Sequence, residues 1–342
     1  MLRFLVQRLL WVVMVLVGSS LLTFLLIHTI SGDPWDNYST NLRNLQRVSV
    51  NTTTQQTLER RFGLNLPIWR QYTRYLIGDL DETSSIFCGA ICGNLGPSIR
   101  QGGSTVQDIL FKPPENLSFW QSRFGYSSRL IWLGFILATL VGIPLGIASA
   151  MRANSLLDRG ITLGLNLLVS IPNFVLGLLA IIILASWFKL IRVLPNWNDP
   201  RDWIVPTLML AAVPMANLAR VARTAILEAI QGDYVRTARA KGLSRQRTMF
   251  FHVLRNALIP MVTFLGTTLV EVFAGSIILE NLFSFPGFGR EYWLAILALD
   301  YPMILSLTLL YATGMVMVNL LIETLYGFID PRLRSGSEKS AA

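Results

Sequence analysis

Charge is what this chain has least of. Of its 342 residues only 14% are Asp, Glu, Lys or Arg, while 52% are hydrophobic. That balance excludes an ordinary soluble domain, and a mean hydropathy of +0.50 points to a polytopic membrane protein. Histidine is almost missing: His28 near the end of the first apolar run and His252 in a basic stretch are the only two. They read as a buried or interfacial residue and a helix-surface residue rather than as catalysts. Two cysteines, Cys88 and Cys92, with no histidine nearby, argue against a zinc site. No Gly-x-x-x-x-Gly-Lys-Ser/Thr loop is present to hold ATP, and neither His-Glu-x-x-His nor Gly-x-Ser-x-Gly occurs. The expectation is therefore no catalytic residue, no metal and no cofactor.

In place of charge the chain has long apolar runs. A bilayer-spanning helix needs about 20 apolar residues, and six stretches supply them. Residues 9–30, 130–151, 161–188 and 301–322 contain no Asp, Glu, Lys or Arg. Residues 203–219 form a shorter run that must extend past Arg220, and 256–279 are interrupted only by Glu271. Six spans put both ends on one side, and the positive-inside rule says which. With a cytoplasmic N-terminus, the inside segments hold fifteen Lys and Arg, eight of them between Arg220 and Arg255. The two short outside loops hold four: Lys189, Arg192, Arg201 and Arg290. Residues 31–129 carry ten more, but long translocated segments are exempt from the count. The net charge of +9 is thus mostly a topology signal and calls for no nucleic acid. The predicted organisation is an anchor helix (1–30), an exported segment (31–129), a five-span core (130–330) and a cytoplasmic tail (331–342). The first run has a charged start but no small-residue cleavage site before Ser31-Gly32-Asp33-Pro34, so it reads as an uncleaved anchor.

Within the exported segment, residues 58–62 read as a helix end closed by Gly63. Pro67 then opens a helix in which Trp69, Tyr72 and Leu76 share a face. Gly89, Gly93, Gly96, Gly102 and Gly103 suggest turns, and 81–128 takes no assigned structure. Cys88 and Cys92, four apart, form a local disulfide or remain two free thiols; an exported location permits the bridge. Asn-x-Ser/Thr matches at Asn37, Asn51 and Asn116 are short enough to arise by chance.

The longest polar break in the second half begins at Asp233. Its cations are Arg236, Arg239, Lys241, Arg245, Arg247 and Arg255, and Asp233 is its only acid. Asp233 is suited to N-cap one short helix, which Gly242 closes in a left-handed conformation. Ser244 is suited to cap a second, which Pro260 interrupts. On that helix Phe250, Val253, Leu254, Ala257 and Leu258 fall on one apolar stripe. Two readings are open on physics alone: a basic loop resting on anionic headgroups, or hardware for docking a partner.

The wording of the stretch bears on that choice. Tyr234-Val235-Arg236-Thr237-Ala238-Arg239-Ala240-Lys241-Gly242-Leu243, followed by Arg255-Asn256-Ala257-Leu258-Ile259-Pro260, resembles the EAA-type loop of binding-protein-dependent ABC importers. More narrowly it is similar to the B-type permease of the dipeptide/oligopeptide/nickel family, although Arg236 or Thr237 stands where the name-giving Glu would be. Gly63-Leu64-Asn65-Leu66-Pro67, the run Glu280-Asn281-Leu282-Phe283-Ser284-Phe285-Pro286-Gly287-Phe288-Gly289, Asp300-Tyr301-Pro302 and Asp330-Pro331-Arg332 also match, in order, so the resemblance covers 1–79 and 130–334. It implies an all-α permease of six transmembrane helices in a bacterial or archaeal cytoplasmic membrane. It also implies a second (C-type) permease subunit, two ATP-binding subunits and an extracytoplasmic solute-binding protein as partners. Asp233, Tyr234, Arg236, Thr237, Ala238, Arg239, Ala240, Lys241, Gly242 and Leu243 would form the element, within loop 233–256, seated in a groove of the ATPase. Ala238, Ala240 and Gly242 would be its close-contact surface. The implied cargo is a peptide, with nickel chelates, glutathione or oligosaccharides as alternatives. A stand-alone channel or secondary transporter is the runner-up; such proteins usually show several intramembrane charges, and here only Glu271 and Glu280 qualify.

Both are candidates for the translocation path. Glu271 is the sharper, because a carboxylate inside a span costs about 2.5–3.5 kcal/mol on insertion scales and must face protein or water. Thr267, Thr268, Ala274 and Gly275 give it a small, weakly polar face, with Leu265, Leu269 and Phe273 opposite. It is either fixed to the partner permease or helps hold a cationic group of the cargo.

Overall fold

The computed structural model describes residues 2–29, 66–80, 86–102, 104–192 and 195–329. The expectations for 31–34, 58–65, Asn37, Asn51 and 330–342 lie outside the described residues. The chain divides into two compact units, Met1–Tyr126 with Pro286–Val316, and Ser127–Phe285 with Met317–Ala342.

The first unit begins with α1 (Leu2–Thr29) and α2 (Ile68–Leu76), which starts at Pro67 because a fixed φ suits a helix entrance. Tyr72 hydroxyl lies 2.9 Å from Ser20 Oγ, and Gln71 Oε1 3.3 Å from His28 Nε2. Tyr75 hydroxyl meets Ser306 Oγ at 3.1 Å. These polar partners select the inward face. Trp69 is 69% exposed, so the face expected from Trp69, Tyr72 and Leu76 is rotated toward Gln71, Tyr72 and Tyr75. Burial pushes the Tyr75 phenol well above the usual tyrosine range, with the Ser306 hydrogen bond acting against it.

A small hairpin follows: β1 (Gly78–Leu80) pairs antiparallel with β2 (Ile86–Cys88). A Cβ at Gly89 would fall 2.9 Å from the Leu76 carbonyl carbon, so the chain needs glycine there to return against α2. A disulfide joins Cys88 to Cys92 across the short turn Ala90–Cys92, with Cα atoms 5.8 Å apart. Next comes α3 (Val106–Phe111), capped by Thr105 Oγ1, which accepts from Asp108 N–H at 3.3 Å.

Two carboxylates from far downstream organise this stretch. Asp300, fully buried, accepts from Ser98 Oγ and from the N–H groups of Ile99 and Arg100, both at 3.1 Å, and caps the next helix through Met303 N–H at 3.4 Å. Glu291, 2% exposed, receives Arg100, Arg123 and Gln101, the last at 3.1 Å. Residues 98–101 and Arg123 are therefore anchored to Glu291 and Asp300 far downstream.

The second unit is a helical bundle. It contains most of α4 (Arg123–Met151), then α5 (Leu156–Ser170) and α6 (Asn173–Ala180), the last running into a π turn, Ile181–Trp187. It continues with α7 (Ile204–Gln231), α8 (Asp233–Ala240), α9 (Arg245–Thr248) and α10 (Leu254–Leu282). The chain then passes through α11 (Phe288–Leu297) into α12 (Tyr301–Ile329), the end of which returns to this unit. Among the described residues five helices are long and apolar enough to span a bilayer, and α5 with α6 and its π turn, bent by 98°, make a sixth where the pair counts as one span. The continuous third span expected over 161–188 is thus broken. Pro172 disfavours a helical conformation in the residue before it, and Ile171 is extended at φ −106°, ψ 125°.

Candidate functional site

The basic stretch forms a platform between two spans. Gly232 leaves α7 in an extended conformation, and α8 starts directly after it. Asp233 is the first helical residue with its side chain in solvent; the cap position is Gly232, which contradicts the expected Asp233 cap. Tyr234 supplies the reason: its ring folds over Gly232 so closely that a Cβ there would sit 2.8 Å from Cζ. The Tyr234 hydroxyl donates to the Ala229 carbonyl at 2.9 Å, which also accepts the Gly232 N–H at 3.3 Å, so the end of α7 is held twice at one oxygen.

The underside of α8 is apolar. Val235 and Ala238 are 2% and 5% exposed, and Val235 joins one core cluster with Ala222, Ala225 and Ile226 of α7 and Ala257 and Met261 of α10. Ala238 is therefore spent on the core, while Arg236, Thr237, Arg239, Ala240, Lys241 and Gly242 face outward. Gly242 ends the helix at φ +81°. Its N–H donates to Arg239 O at 2.9 Å and that of Leu243 to Ala238 O at 3.2 Å, the two bonds of a left-handed C-terminal closure.

Ser244 Oγ accepts from Arg247 N–H at 3.5 Å and opens α9, which passes through a π turn, Met249–Val253, into α10. The π turn adds one residue and breaks the expected stripe. Val253 and Ala257 stay in the cluster, whereas Phe250 is 66% exposed. Pro260 does not stop the helix either; α10 runs through it to Leu282. One lost backbone bond is tolerated where Ala257 and Met261 on either side are packed at 1% and 0% exposure.

A buried ion pair braces the same end of the bundle, and sequence reasoning missed it. Asp158, 3% exposed, accepts from Arg223 Nε and Nη2 at 2.9 Å each, from Asn154 N–H at 2.8 Å and from Ser149 Oγ. It ties the α4–α5 turn to α7 two turns before the platform. In the sequence Arg223 is visible only as one of the topology charges.

The two path candidates separate. Glu271 is half-buried and receives the Asn217 side-chain amide at 3.3 and 3.5 Å. Glu280 is fully buried. Among the described residues no group of three or more His, Cys, Asp or Glu side chains is arranged to hold a metal.

These features define a polytopic helical membrane protein with a braced basic platform between two of its long helices. The chain belongs to the family of binding-protein-dependent transport system inner membrane components: the family model matches residues 142–335, and its N-terminal companion matches 1–119. It is 32% identical over 334 residues to the dipeptide transport system permease protein DppB of Bacillus subtilis, covering 98% of both chains. The oligopeptide transport system permease protein AppB of the same organism is 30% identical over 342 residues, covering 97% of this chain and 99% of the relative. The dipeptide permease DppB of Escherichia coli is 32% identical over 368 residues, with 98% and 99% covered.

Proposed function

We propose that the chain is the B-type permease subunit of an ATP-driven importer carrying di- and oligopeptides across the cytoplasmic membrane. It pairs with a C-type permease, two ATP-binding subunits dock from the cytoplasm, and an extracytoplasmic solute-binding protein delivers cargo. Both termini and α8 are cytoplasmic, and residues 31–129 are exported. The ATP site belongs to the partners.

The platform carries this reading. A loop that rested on lipid headgroups would turn its apolar face to the membrane. Here Val235 is sealed against two spans, Ala238 is buried beside it on the same helix, and the polar face is left open. Closure of the ATPases displaces α8, and the shared cluster passes that displacement to α7 and α10 together, rocking the spans in alternating access. End-to-end similarity to permeases named for dipeptides and oligopeptides supports peptides over nickel chelates, glutathione or oligosaccharides.

Expression of the tagged chain with its neighbouring transport genes tests this. ATPase subunits should co-purify, and vesicles loaded with ATP on the cytoplasmic side should take up labelled dipeptide. Uptake without any ATPase partner would favour a stand-alone transporter instead.

A further inference from the structure

We propose that Glu271 is a binding subsite for a positively charged group of the transported solute, an alkylammonium such as the amino terminus of a peptide. This rests on the transport reading above and names what its path recognises.

Charge is the first ground. Among the described residues no Lys, Arg or His lies within ion-pair distance of Glu271, and its partner is the neutral amide of Asn217 at 3.3 and 3.5 Å. The amide orients the carboxylate but leaves its charge uncompensated. Arg220, one turn along α7 from Asn217, makes no ion pair with it. A carboxylate within a span is retained where a cation or water completes it.

Orientation is the second. On α10, Thr263, Thr267, Ala274 and Ile278 are exposed, and with Glu271 at the middle they repeat every three or four residues along one open stripe. Thr268, Leu269, Val272 and Ser276 are buried on the other side. The carboxylate therefore borders open space rather than the core of its own bundle. Glu280, two and a half turns on, shows the contrast: it is fully buried and can meet no solute.

Continuity is the third. The stripe meets Asn217 of α7, and the exposed residues beyond it on that helix are Arg220, Thr224, Glu228 and Gln231. A face with this many polar groups is not covered by acyl chains, so it lines a route walled by protein and filled with water. On such a route a fixed carboxylate, held by an amide that adds no charge, selects for a cation. An ammonium supplies up to three N–H donors and the missing charge together.

The test uses the reconstituted full complex and a dipeptide with a free amino terminus. Glu271→Gln keeps shape and hydrogen bonding but removes the charge, whereas Glu271→Asp keeps the charge. The KM for import should rise about tenfold or more in the Gln variant and recover largely in the Asp variant. Glu271→Cys, with Cys88 and Cys92 replaced by Ser, should react with a water-soluble thiol reagent and be protected by the peptide. An unchanged KM in the Gln variant, an equal loss in the Gln and Asp variants, or a cysteine unreactive throughout the ATP cycle would each overturn the proposal. Loss of the partner permease on purification of the Gln variant would assign the carboxylate to the subunit interface and overturn it equally. A wild-type complex that imports no peptide would sink the transport reading itself, and the subsite with it.

Discussion

Burying a carboxylate is costly unless its lone pairs are filled, and Asp158, Glu291 and Asp300 each draw at least one partner from a residue remote in sequence. Asp300 is the most heavily used, serving the 98–100 turn and the start of α12 together. Asp300→Ala would strand three backbone N–H groups, those of Ile99, Arg100 and Met303, and the Ser98 hydroxyl. Each buried orphan costs about 1–3 kcal/mol, so a loss of roughly 3 kcal/mol or more is expected in thermal unfolding of the detergent-solubilised protein. Asp300→Asn, which still offers one acceptor, should lose less. An alanine variant as stable as wild type would show that the turn is held by other contacts. Asp158 follows the same logic: removing one partner of a sealed ion pair costs roughly 3–5 kcal/mol, and less here because Arg223 is 30% exposed. None of this was legible in the sequence. Charge counting assigns Arg223 to a side of the membrane, and only the fold brings it to Asp158, 65 positions away. Glu291 and Asp300 likewise sit beside the family-like runs Glu280–Gly289 and Asp300–Pro302, which gave no hint that their side chains hold residues 98–123.

At the scale of elements, the long apolar runs read well, whereas proline and the finer helical periodicity read badly. Pro172 breaks its span while Pro260 is carried inside one. Both remove a backbone donor, and what differs is the packing of neighbours, which no local pattern encodes. Phe250 departs from its expected face for a related reason: a π turn shifts the stripe by one residue, and helical periodicity assumes none. In α4, Gly142 and Gly146 mark a close approach. A Cβ at Gly142 would lie 2.7 Å from the Met215 carbonyl oxygen, and one at Gly146 would collide with that of Ala219, so α4 packs on the bare backbone of α7. Gly146→Val should force the two helices apart and lower the unfolding temperature, with a cost of about 1–3 kcal/mol, the range of overpacking. Gly164→Ala, where a Cβ meets nothing within 4 Å, should be neutral or stabilising by up to about 1 kcal/mol. Equal effects at the two sites would contradict the assigned packing.

For the whole molecule, the topology proposed from the charge asymmetry also sets where oxidising chemistry should reach. Residues 31–129 are proposed to lie outside, with Cys88 and Cys92 bridged in a turn next to the exposed Ile91. Reporter fusions at residue 90 should therefore report an exported position, and fusions after residue 242 a cytoplasmic one. Denatured, non-reduced protein should resist thiol alkylation and become reactive after reduction. A cytoplasmic residue 90 would invert the topology, and equal labelling before and after reduction would reject the bridge in the native membrane.

The central claim is that α8 converts ATP hydrolysis by partner subunits into movement of the spans, and Gly242 is the place to test it. Its φ of +81° penalises any side chain by roughly 1–2 kcal/mol, and its exposed surface lies at the end of the platform rather than in the core. In proteoliposomes holding the complete complex with Gly242→Trp, peptide imported and ATP hydrolysed should be counted together. Normal membrane insertion with a collapse in peptides moved per ATP is the expected result. An unchanged ratio of peptide to ATP would mean that the coupling surface lies elsewhere and that the platform is not what drives the spans.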